Sequence, residues 1–213
     1  MIKFSIQTGK TFIAFALLCF FCFQLSAPAE WQKPLQPSLS GGALTCLASH
    51  PLDGNKFLIA SGQQVFEAGE KNDWQPLWSQ ADPNAPIKRL FAFPVLPDIV
   101  FAITNRSVFM GNLKDRSWRM IYKDSAKAPL SFAVHPKDPN HWFLGTQKGL
   151  LETTNAGKTW SASPVFRSSE PVPLLVFDHE RLFLAGGKTL YLAMPGSTAR
   201  PVLDLSGAAL EAA

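Results

Sequence analysis

Cysteine is scarce. The 213-residue chain has three, and two of them, Cys19 and Cys22, lie in an apolar leader, which leaves Cys46 alone. One thiol excludes an intramolecular disulfide framework, and in its alternating apolar surroundings Cys46 reads as a small buried residue. Tyrosine is also scarce, with Tyr122 and Tyr191 only. The chain lacks a Gly-rich phosphate loop, a Ser/Cys-His constellation and any sustained helical period. Charged residues make up 17%, and no apolar run outside the leader approaches the roughly 20 residues of a membrane span.

The leader has the grammar of a secretory signal. Lys3 and Lys10 make a basic start, Thr11 to Leu25 is nearly all apolar, and Ala27-Pro28-Ala29 places small residues at a cleavage site after Ala29. The apolar run is short for a span, and retention as an anchor stays open beside cleavage. There is no twin arginine, and neither leader cysteine follows a lipobox-like small residue. Export through a Sec-type signal to the periplasm or extracellular space follows. Without the leader, the net charge of +4 falls to +2, a balance that excludes a nucleic-acid binder by charge.

What is present is a cadence. Trp31, Trp74, Trp118 and Trp160 stand 43, 44 and 42 residues apart, and Pro51, Pro94, Pro136 and Asp178 keep the same beat at 43, 42 and 42. Two markers with one period imply internal repeats. Each repeat offers four short runs rich in Phe, Leu, Ile and Val, bounded by Gly, Asn, Asp or Pro, which is strand-and-turn patterning. Repeats of this length with four strands each imply propeller blades. The expected organisation is a signal over 1–29 and a linker over 30–43 with an outer strand at Trp31. Blades follow over about 44–86, 87–127, 128–170 and 171–205, with a partial blade over 206–213. The fold class is all-β: a propeller of four-stranded antiparallel blades, four plus a fragment, open or incomplete, whose missing sector a second chain could supply. The tight reversals between second and third strands are assigned to Ser61-Gly62, Asn105, Gly145 and Gly186-Gly187.

Thr153-Thr154-Asn155-Ala156-Gly157-Lys158-Thr159-Trp160 resembles the Asp-box, or BNR repeat, with Asn155 where Asp is usual. Thr153, Asn155, Gly157, Thr159 and Trp160 occupy its fixed positions, and the resemblance implies a hairpin between third and fourth strands. Physically, a short side-chain acceptor at Asn155 can bond the turn's own backbone, Gly157 permits a positive φ, and Trp160 starts the outer strand. The other units keep the Trp and lose the box. Phe132 to Asn140, running into Gly145-Thr146 and Gly149-Leu150, is similar to bacterial exported BNR-like proteins, of which photosystem II stability/assembly factors are the best known. Asp-boxes also occur in sialidases, xyloglucan hydrolases and sortilin-type receptors, so the resemblance implies fold more than function.

Chemistry is thinly represented. A sialidase would need an arginine triad and a tyrosine nucleophile. A glycosidase needs two carboxylates facing one sugar, whereas Asp53, Asp98 and Asp138 recur at one register, as turn residues do. His50 and His135 are equivalents in His-Pro turns, and with His141 and His179 they show no zinc spacing. No catalytic residue, metal or cofactor is expected. Charge is less even. The second unit carries Lys88, Arg89, Arg106, Lys114, Arg116, Arg119, Lys123 and Lys127 against three acids, and the first unit is net −3. That basic patch is the candidate surface for an acidic protein partner, with contact to membrane headgroups beside it. The leading expectation is a non-catalytic exported scaffold or assembly factor for a membrane or envelope complex. The alternative is a glycosidase-like or carbohydrate-binding BNR-repeat protein.

Overall fold

The computed structural model describes residues 44–69 and 74–204. They belong to one compact unit, Pro37–Ala213. Trp31, the leader and the 206–213 fragment lie outside the described residues.

Sixteen strands run through this region. The first blade comprises β1 (Leu44–Ser49), β2 (Phe57–Ser61), β3 (Gln64–Ala68) and β4 (Trp74–Ser79). The second comprises β5 (Arg89–Ala92), β6 (Ile99–Ile103), β7 (Ser107–Asn112) and β8 (Trp118–Lys123). The third comprises β9 (Pro129–Val134), β10 (Trp142–Thr146), β11 (Gly149–Thr153) and β12 (Ser161–Ala162). The fourth comprises β13 (Leu174–Asp178), β14 (Arg181–Gly186), β15 (Thr189–Ala193) and β16 (Arg200–Asp204). Each set forms its own antiparallel sheet in sequence order, and no helix occurs among the described residues. This is the all-β blade architecture of a propeller.

Hydrophobic layers lie between successive blades. Leu58, Ala60 and Val65 of the first meet Leu90, Val100 and Ala102 of the second. Phe101, Ile103 and Val108 of the second meet Phe132, Trp142 and Leu144 of the third. Phe143 and Leu150 of the third meet Leu175, Leu182 and Leu184 of the fourth. Alternation explains this: successive strand residues point to opposite faces, so one strand serves two junctions. Each fully buried Leu, Val or Phe contributes about 1.5–3 kcal/mol of transfer free energy.

Three local expectations are corrected. Gly145 lies inside β10, and the reversal is made by Gln147-Lys148 between Thr146 and Gly149. A side chain at Gly145 would run into Ser131 Oγ and the Val172 carbonyl at the junction with the fourth blade, so its smallness serves packing. The outer strand of the third blade begins at Ser161 rather than Trp160, because the box turn takes up the residues before it. Cys46 is half-buried rather than fully enclosed, and burial raises its thiol pKa.

Candidate functional site

Asx and hydroxyl turns close the box hairpin. Asn155 Oδ1 accepts from the Thr159 amide (3.0 Å) and from the Thr153 hydroxyl (2.8 Å), while Asn155 Nδ2 donates to Thr159 Oγ1 (2.7 Å). Thr153 Oγ1 accepts the amides of Asn155 (3.3 Å) and Gly157 (3.2 Å). Gly157 has φ +75°, and a Cβ there would stand 2.8 Å from the Trp142 ring. The polar groups at these positions are bonded to one another, an arrangement suited to holding a loop.

Trp160 reaches across a blade junction. Its Nε1 donates to the Ile121 carbonyl (3.1 Å), and its ring stands edge-on to Tyr122. Trp118 also crosses a junction one blade earlier, but by parallel stacking on Trp78 at 4.4 Å. Tyr122 and Trp78 are equivalents, paired with Val108 and Val65. Trp74 packs edge-on to Phe66.

The His-Pro turns are built alike. His50 Nδ1 accepts the Leu52 amide and His135 Nδ1 the Lys137 amide, both at 3.2 Å. Asp53 and Asp138 accept the amides of Asn55 and Asn140. His135 stacks on His141 at 5.4 Å, and His141 Nε2 meets Glu152 Oε1 at 2.8 Å. Burial, then the neighbouring His141, lower the pKa of His135. No group of three potential metal ligands converges among the described residues.

The eight basic residues of the second unit divide between the two ends of its blade. Lys88, Arg89, Arg106, Lys123 and Lys127 fall where first strands begin, fourth strands end and the central hairpins turn. Lys114 and Arg116 lie in the β7–β8 connection at the other end, where Lys114 pairs with Asp98 at 2.7 Å and Arg116 has φ +56°. Arg119 follows on β8, with Nη2 3.7 Å from Met110 Sδ. Arg89 Nη1 donates to the Pro173 carbonyl of the fourth blade (3.0 Å).

Other blades extend the cationic end. The central hairpins turn at Gly62-Gln63, Asn105-Arg106, Gln147-Lys148 and Gly187-Lys188, so the second turn residue is cationic in three of four. Thr104 and Thr146 fix two of these turns, accepting the Arg106 and Lys148 amides through their hydroxyls. Arg167 joins this end from the segment after β12. Sequence reading missed Lys148, Lys188 and Arg167 because charge was counted blade by blade; lining up the hairpins would have shown the first two.

A second feature lies on the first strands. A cavity of about 490 Å³ between the second, third and fourth blades is lined by Phe91, Phe93, Phe132, Val134, Leu174 and Val176 with neighbouring apolar residues, and no carboxylate reaches it.

No family model and no curated protein sequence matches this chain. Solved structures do. An ancestral GH74 enzyme matches at TM-score 0.57 and 19% identity over 76% of this chain and 24% of its own. YCF48 bound to a D1 peptide matches at TM-score 0.53 and 18% identity, over 76% and 51%. U3-55K matches at TM-score 0.57 and 11% identity, over 75% and 51%. The chain thus spans about half or less of the length of these neighbours. At such identities the likeness is one of fold: four-stranded blades arrayed as in a β-propeller.

Proposed function

We propose that this protein is a non-catalytic, exported propeller scaffold that captures an acidic segment of a protein partner on its hairpin end, in the assembly of a membrane or envelope complex. The observation that carries the reading is the repeated cation at the hairpin tips, Arg106, Lys148 and Lys188, joined by Lys88, Lys123, Lys127 and Arg167. A field of one sign, repeated by the blade symmetry, steers and holds an oppositely charged partner. YCF48, a structural neighbour, is peptide-bound, which supports a propeller of this kind in peptide capture. Export rests on the leader's pattern.

A glycosidase reading has less support. It needs paired carboxylates on one sugar, yet the apolar cavity is free of them, and Asp53, Asp98 and Asp138 are engaged in turn bonds or an ion pair. The test uses a fluorescent oligoglutamate peptide at low salt. Lys88→Glu, Arg106→Glu and Lys188→Glu combined should weaken binding at least about tenfold. Reversing Lys114, Arg116 and Arg119 should leave it nearly unchanged. Equal losses in both triples, or none in the first, would refute the hairpin-end assignment.

A further inference from the structure

The hairpin end also holds a groove, lined by three cations of the capture surface, Lys127, Lys148 and Arg167. It has a volume of about 500 Å³, within the range of ligand sites. Lys127 enters from the β8–β9 connection, Lys148 from a hairpin tip, and Arg167, Ser168 and Ser169 from the segment after β12, over Leu150 and Phe166. No acidic side chain lines it.

The nearby acids stand outside this lining. Asp124 Oδ1 accepts the amides of Ala126 (2.7 Å) and Lys127 (3.2 Å). The Glu170 carboxylate lies over Gly187, where an added Cβ would stand 3.1 Å from Oε2. Glu152, behind the groove, takes the Ser163 hydroxyl at 2.6 Å. Among the described residues, Lys127, Lys148 and Arg167 therefore form no ion pair. Ser168 Oγ accepts the Glu170 amide (3.1 Å), which leaves its O–H to donate into the groove.

Three cations with serine hydroxyls make a site rich in donors and poor in acceptors. A neutral sugar, whose hydroxyls must both give and take, finds few partners here. A phosphate brings about −1.5 to −2 charge and three acceptor oxygens, and the guanidinium of Arg167 suits its geometry. We propose that this groove binds a phosphate group. A soluble phosphomonoester and the headgroup of an anionic phospholipid present the same chemistry.

Two arms separate these sources. Calorimetric titration with glycerol 3-phosphate tests the soluble ligand, with the dicarboxylate glutarate as a charge-matched control. Co-sedimentation with phosphatidylcholine vesicles, with and without phosphatidic acid, tests the lipid. Saturable binding in either arm, weakened at least about tenfold by Lys127→Glu with Arg167→Glu but not by Lys88→Glu with Lys123→Glu, supports the site and identifies the source. No binding in either arm, equal affinity for glutarate, or indifference to the groove reversals overturns it. The changed side chains are exposed, and thermal melts would report any loss of fold. The peptide test above leaves Lys127, Lys148 and Arg167 intact, so the two proposals fail separately.

Discussion

Single side chains in this protein do their work through backbone turns. His135 shows how a residue that looks chemical serves as a turn acceptor, since its Nδ1 takes the Lys137 amide and its ring packs on His141 and Phe177. Protonation would remove that acceptor. Burial and His141 disfavour the imidazolium, while Asp138 and Glu180 partly offset them and Lys137 adds to them. The pKa in the folded state therefore lies below the ordinary value of about 6.5, and the unfolded chain takes up the proton more readily. Stability from this group is complete above that ordinary value and is lost as pH falls through it towards the folded value. The urea midpoint should fall between pH 7 and pH 5. Because the ring is only partly buried, solvent screening keeps its share below about 1 kcal/mol. His135→Asn, which keeps an acceptor that does not titrate, should flatten that slope; an unchanged slope would show that His135 has no part in it.

At the scale of the element, the box hairpin ties a turn to a junction. Asn155 holds both arms of the turn, and Trp160 then pins the loop to the previous blade through the Ile121 carbonyl. Asn155→Ala removes three hydrogen bonds in an exposed setting and should cost about 1–2 kcal/mol. Asn155→Asp keeps the acceptor and should stay within about 0.5 kcal/mol of the parent. Urea unfolding of both variants checks this, and equal losses would mean that the acceptor is not what matters. Such an element is readable from sequence because its information is local: a Thr, an Asn, a Gly and a Trp at fixed offsets. The blade strands are readable for the same reason, by alternation and turn residues. Gly145 is not, because its smallness answers to Val172 and Ser131, the former in the next blade. Nor is the start of β12, which depends on how many residues the box turn takes up.

At the scale of the molecule, the repeat brings register-equivalent positions to one end, so a small bias per blade becomes a surface. The sequence count found eight cations crowded in one blade, and the fold splits them and adds Lys148, Arg167 and Lys188 from two others. That regrouping was hidden because ends of a propeller are properties of the array, and a unit-by-unit sum averages over them. The most direct measurement of this account is hydrogen–deuterium exchange of the protein with and without an acidic oligoglutamate peptide. Protection should concentrate at the hairpin tips over 104–107, 146–149 and 186–189, and fade with added salt. Protection confined to the opposite end, over 113–117 and 135–141, would contradict it.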